Sequence, residues 1–211
     1  MTSSSKPLIL HHYYRSSCSW RVRWALQIKK VPCQLNAVNL LKEEQKSDVY
    51  LNMNATGFVP CLELNEECFG ESVAILEWLE ESFPSPPLLP NAPADRLKVR
   101  QLCQIIASGT QPLQNLEVQK MISDNREDQL DWSRTWIERG LNAYEISCSK
   151  TAGTFSFGSS LTLADLCLIP QVYNALRFQV DLNRFPRVKS IYHHCLKLKE
   201  CQDSAPDRYA P

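Results

Sequence analysis

Five of the thirteen prolines fall within the ten residues PSPPLLPNAP, Pro84 to Pro93. Proline lacks the backbone donor and fixes φ, so a run this dense can neither continue a helix nor enter the centre of a sheet. It reads instead as an extended, fairly stiff connection. That connection divides the 211-residue chain into residues 1–83, a linker over 84–93, and residues 94–211.

The two sides of the connection carry different hydrophobic periods. Before it, PLILHHYY is a compact apolar run, SWRVRWALQIKK places Val22, Ala25, Leu26 and Lys29 at helical spacing, and CQLNAVNL is again extended, which makes a βαβ unit. A helix is expected over Gln45 to Met53. NATGFVPCLEL then gives a turn and a strand, and Asn65-Glu66 a tight turn into ECFG. The next helix starts at Ser72, with Ile75, Leu76, Leu79 and Phe83 on one face until Pro84 stops it.

After the prolines the chain reads helical. Val99, Leu102, Cys103 and Ile106 form one stripe, Ile137, Leu141, Tyr144 and Cys148 a second, and Val188, Ile191, Tyr192 and Cys195 a third. Thr162 and Asp165 have the spacing of an N-terminal capping pair. The expected fold class is therefore α/β plus all-α: a βαβαββα domain followed by a helical bundle.

Lys plus Arg and Asp plus Glu number 23 each, so no global charge points to nucleic acid or to an acidic membrane surface. The opening MTSSSKPLIL lacks the long apolar core of a secretory leader, and no run approaches the roughly 20 apolar residues of a spanning helix. A cytoplasmic location is expected, with neither nucleic acid nor membrane as partner. The nine cysteines are scattered without a C-x-x-C, which reads as reduced, mostly packed thiols. His11-His12 and His193-His194 have no cysteines at ligand spacing, so no metal is expected.

Three short stretches can carry chemistry. In RSSCSW, Ser16 and Ser17 lie at a helix N-terminus, where free N–H groups and the positive dipole end favour an anion such as a thiolate. Serine there is also an ordinary N-cap, and Cys18 in the first turn is either a nucleophile or a packed thiol. In GFVPCL, Pro60 before a short strand marks an edge or a special turn. In GESVAILEWL, Ser72 either caps its own helix or holds a ligand carboxylate, with Glu71 beside it available to an ammonium.

In this order, RSSCSWRVR, VP, ES, the proline-rich connection and SSLTLADL resemble the glutathione transferase superfamily along essentially the whole chain. RSSCSWRVR, GTQPLQNL and LTLADLCLIPQVYNALRF resemble its zeta class, whose activity is maleylacetoacetate isomerisation. The resemblance implies a thioredoxin-like N-terminal domain, a helical C-terminal domain, a homodimer, and glutathione as cofactor. It implies that Pro60 is cis and Val59 pairs with the ligand backbone, and that Ser72 and Glu71 hold the γ-glutamyl carboxylate and ammonium.

The same resemblance assigns Ser16 to the thiolate, with Ser17 and Cys18 shaping the site beside it, and Gln45 to the glycyl end. Gln111 and Asn115, four apart, would share a helical face, and Arg15, Arg21 and Arg177 would meet an anionic dicarboxylic or halo-acid substrate. Three alternatives stand beside isomerisation of maleylacetoacetate. One is maleylpyruvate isomerisation, one a thiol oxidoreductase built on Cys18, and one a non-catalytic glutathione-binding dimer.

Overall fold

The computed structural model describes residues 7–211; residues 1–6, part of the opening stretch read above as lacking a leader, lie outside the described residues. The chain forms two compact units, one of residues up to Pro86 together with Lys199–Pro211, the other Pro87–Leu198.

In the first unit, strands β1 (Leu8–His12), β2 (Cys33–Ala37), β3 (Cys61–Leu64) and β4 (Glu67–Phe69) lie in the order β2-β1-β3-β4. β1 is parallel to β2 and antiparallel to β3, and β3 and β4 form a hairpin. Asn65 and Glu66 between them both have positive φ, 52° and 72°, as a two-residue hairpin turn that matches strand twist requires. Helix α1 (Ser17–Lys29) joins β1 to β2, α2 (Asp48–Met53) precedes β3, and α3 (Ser72–Ser82) follows β4, the expected βαβαββα order.

The apolar spacing does what it predicts: Val22, Ala25 and Leu26 of α1 and Ile75, Leu76 and Leu79 of α3 are buried. Lys29 closes the α1 stripe and is buried too, its ammonium donating to Glu80 Oε2 (2.7 Å) and to the carbonyls of Phe83 and Pro86 (2.6 and 3.0 Å). A buried cation needs such partners. The helix expected over 45–53 starts later. Ser47 is extended and caps α2 by accepting from the Tyr50 N–H, while Glu44–Lys46 makes a separate 3₁₀ turn.

The second unit contains α4 (Pro93–Ala107), α5 (Leu116–Ile122), α6 (Arg126–Ser147), α7 (Leu163–Arg177) and α8 (Pro186–Cys195). The three predicted stripes are its buried core. Pro93 opens α4 in its first turn, where a missing N–H costs nothing. α7 starts with the predicted capping box. Asp165 is fully buried and accepts from the N–H of Ser156 (2.7 Å) and of Thr162 (2.8 Å) and from the Thr162 hydroxyl (3.1 Å).

The last residues do not group with the other helices. α9 (Lys199–Ser204) packs on α1 in the first unit, where the Trp20 indole donates to Ser204 Oγ (3.0 Å) and Arg23 Nε to the Ser204 carbonyl (3.1 Å). A six-residue helix carries too little periodicity for the sequence to reveal its partner.

Candidate active site

The first unit gathers the N-termini of α1 and α3 and the turn before β3. Ser16 is the N-cap of α1, with its Oγ accepting from the Ser19 N–H (3.1 Å) and its own N–H bound to the Tyr13 carbonyl (3.0 Å). Among the described residues the Ser16 hydroxyl donates to nothing, so its proton is available to an acceptor in front of the helix. Ser16 is thus the cap by its oxygen, with its hydroxyl hydrogen left over for a second partner. Ser17 is buried in the first turn, Cys18 is half-buried, and Arg15 is exposed with its guanidinium carbon 5.1 Å from the Tyr14 ring centre.

The Val59-Pro60 peptide is cis, as the resemblance implied. Neither the N–H nor the C=O of Val59 takes part in a backbone hydrogen bond among the described residues, which leaves both to an extended ligand. Two side chains that the sequence did not single out fix this turn. Tyr50 Oη (2.7 Å) and Asn54 Nδ2 (2.8 Å) both donate to the Phe58 carbonyl. Only the turn-forming NATG hinted at Asn54, and nothing local pointed to Tyr50.

Ser72 opens α3 and is buried. Glu71, just before it, is exposed with φ 61° and ψ 101°, a left-handed backbone that an ordinary side chain adopts only under constraint. Arg21 lies behind Ser72, only 1% exposed, with Nη1 donating to Ser72 Oγ (3.0 Å). The resemblance gave Arg21 to the substrate; the structure puts its guanidinium, buried, on the Ser72 hydroxyl. A donor already on the Ser72 oxygen turns the hydroxyl proton toward whatever faces the helix end.

Arg23 was also passed over. It is buried, and donates to His12 Nδ1 (3.2 Å) and to the carbonyls of Tyr13 (3.4 Å) and Tyr14 (3.1 Å), directly before Ser16. Because a guanidinium only donates, His12 must accept and is neutral; burial, with Arg23 and His11 adding to it, pulls its pKa down to about 4.

Gln45 lies half-buried in the 3₁₀ turn, with its Oε1 enclosed. In the second unit, Gln111 opens a 3₁₀ turn over Gln111–Gln114, and Asn115 is extended ahead of α5. The shared helical face expected for Gln111 and Asn115 is therefore absent, because the helix breaks between them. Thr110 and Gln114 are the buried members of the motif, and the Gln114 amide exchanges two hydrogen bonds with that of Gln171 (2.8 and 3.1 Å). Arg177 ends α7, exposed.

A cis-proline turn beside two serine-led helix starts belongs to a known class of domain: residues 10–87 match the family model "Glutathione S-transferase, N-terminal domain". A maleylacetoacetate isomerase of Dictyostelium discoideum is 43% identical over 203 residues, 94% of this chain and 93% of that protein. A bacterial zeta-class maleylpyruvate isomerase in its holo form superposes with a TM-score of 0.90 at 36% identity, covering 94% of this chain and 96% of that one. The maleylacetoacetate isomerase of Anaeromyxobacter dehalogenans, with glutathione in its active site, gives 0.86 at 41% identity, with 96% of each chain covered. A second crystal of that protein holds dicarboxyethyl glutathione and citrate (TM-score 0.86, 41% identity, 98% of this chain and 93% of that one). The chain belongs to the glutathione S-transferase family, in its zeta, maleylacetoacetate isomerase branch.

Proposed function

We propose that this chain is a glutathione-dependent cis-trans isomerase that converts maleylacetoacetate to fumarylacetoacetate in phenylalanine and tyrosine breakdown. The observation that carries the reading is the Ser16 hydroxyl. Its oxygen is engaged by the Ser19 N–H, so what it offers a ligand is a proton, which is what an anionic sulfur accepts. Bound glutathione supplies the sulfur that adds to the conjugated alkene and leaves after rotation about the resulting single bond.

The chain's own residues hold and polarise. Ser16 and the N-terminal dipole of α1 keep the sulfur ionised, with Ser17 and Cys18 shaping the space beside it. Val59 offers its backbone to the tripeptide as an added strand would, while Ser72 takes the γ-glutamyl carboxylate and Glu71 the ammonium. Arg21 acts on that carboxylate through Ser72. Arg15 and Arg177 are the cations for a dianionic substrate, and Gln45, Gln111 and Asn115 complete the glutathione contacts.

The dicarboxyethyl thioether held by the Anaeromyxobacter relative supports a sulfur that bonds to a dicarboxylic carbon skeleton. The likeness to a maleylpyruvate isomerase keeps that substrate as a second reading, and small α-halo acids fit the same chemistry. Family membership supports a homodimer, and the nine free cysteines support a cytoplasmic setting. No helix among the described residues is long and apolar enough to cross a membrane.

The test is turnover of maleylacetoacetate beside maleylpyruvate, with and without glutathione. The fumaryl product should form only with glutathione present, and Cys18→Ala should retain most of the rate. No turnover at any glutathione concentration would sink the isomerase reading, and abolition in Cys18→Ala would move the chemistry to the protein thiol.

A further inference from the structure

We propose that His11, Glu63 and Cys68 form a site for a divalent cation of the Zn²⁺ type on one face of the four-stranded sheet. The register puts them there. His11 of β1 stands opposite Cys61 of β3, and Glu63 of β3 opposite Cys68 of β4, while the intervening Leu10 and Leu62 pair on the other face. His11, Glu63 and Cys68, one from each of three adjacent strands, thus share one surface.

Their spacing suits a small tetrahedral ion. His11 Nε2 and Glu63 Oε2 are 3.3 Å apart, and these groups and Cys68 Sγ all lie within 4.8 Å of one another. Metal–ligand bonds of about 2.0–2.3 Å in a tetrahedron set ligands about 3.3–3.8 Å apart, so the widest pair need close by only about 1 Å.

One imidazole, one carboxylate and one thiolate, with water in the fourth position, select Zn²⁺ over Mg²⁺ or Ca²⁺, which prefer oxygen throughout. His11 is buried, whereas Glu63 and Cys68 are partly open and give the ion a way in. On binding, the Cys68 thiol loses its proton to solvent and one metal–sulfur bond forms with no change of oxidation state. The sequence concealed this site, since His11 is 52 positions from Glu63 and only the sheet pairing brings them together.

The experiment is an anaerobic titration of the reduced, metal-free full chain with Co²⁺, without glutathione. One equivalent should bind with sulfur-to-cobalt charge-transfer absorption that Zn²⁺ displaces, and Zn²⁺ should raise the unfolding temperature. Cys68→Ser, checked as folded by an unchanged metal-free unfolding temperature, should lose that absorption and bind roughly tenfold or more weaker, and Glu63→Gln should weaken binding by a similar factor. Absence of saturable binding overturns the proposal. So does equal affinity with the same absorption in Cys68→Ser, which would assign the metal to other thiols such as Cys18 or Cys33.

Discussion

Ser16, Ser72 and Arg21 show what a single position discloses and what it hides. That a serine opens α1 and another opens α3 was legible, because capping is local chemistry between residues two or three apart. That Arg21 reaches Ser72 was not, since the partners are 51 positions apart and no periodicity encodes such a pairing. The arginine was expected to meet substrate and instead supports a serine. Replacing it with Met, which keeps much of the stem, leaves the Ser72 oxygen without its charged donor. A hydrogen bond of that kind is worth about 1.5–3 kcal/mol, so calorimetry should find glutathione bound roughly tenfold to a hundredfold more weakly. Arg21→Lys, with one point donor in place of a fork, should recover part of the loss. Unchanged affinity in Arg21→Met would remove Arg21 from the site.

The elements were legible where their period was long. The stripes of α4, α6 and α8 and Ile75, Leu76 and Leu79 of α3 are buried as read, while Phe83, read on the same face, is half-buried just past the helix end. Short segments failed: Ser47 restarts the chain as α2, and the 3₁₀ turn at Gln111 breaks the helix that would have aligned Gln111 with Asn115. In both places a turn of three or four residues gives the hydrophobic pattern no room to declare itself.

At the start of α7 the capping pair was legible, but not its depth. Asp165 is fully buried, and burial pushes its carboxyl above the usual range while three donors pull it back. Asp165→Ala strands the N–H groups of Ser156 and Thr162, and should cost about 3 kcal/mol in urea unfolding, against about 1 kcal/mol for a surface N-cap. A loss under 1 kcal/mol would mean that water replaces the carboxylate.

Across the whole molecule, the return of α9 and Tyr209 to the first unit was the feature that the division at the prolines missed. Tyr209 stacks edge-on to His12 (5.7 Å) and lies under the Arg23 guanidinium (4.8 Å), so the end of the chain closes over the group that steadies the backbone before Ser16. His12 makes this closure sensitive to acid. Its pKa falls from 6.5 unfolded to about 4 folded, so the folded state binds fewer protons and its stability is fully present above pH 6.5. It is lost as pH drops toward 4, by on the order of 3 kcal/mol. Unfolding free energies between pH 7 and 4 should fall along that slope and flatten in His12→Phe; the same slope in both would exclude His12.

The central claim is that the nucleophile is a borrowed sulfur, steadied by the hydroxyl that caps α1. The ultraviolet absorbance of thiolate in the glutathione complex, followed against pH, tests it most directly. Ser16→Gly is the control, because glycine costs a cap only a few tenths of a kcal/mol while removing the hydroxyl. The account predicts a bound thiol that ionises well below the free value of about 8.5 in the native chain and moves back toward it in Ser16→Gly, with binding retained. A bound thiol that titrates like free glutathione, or one unmoved by Ser16→Gly, would contradict it.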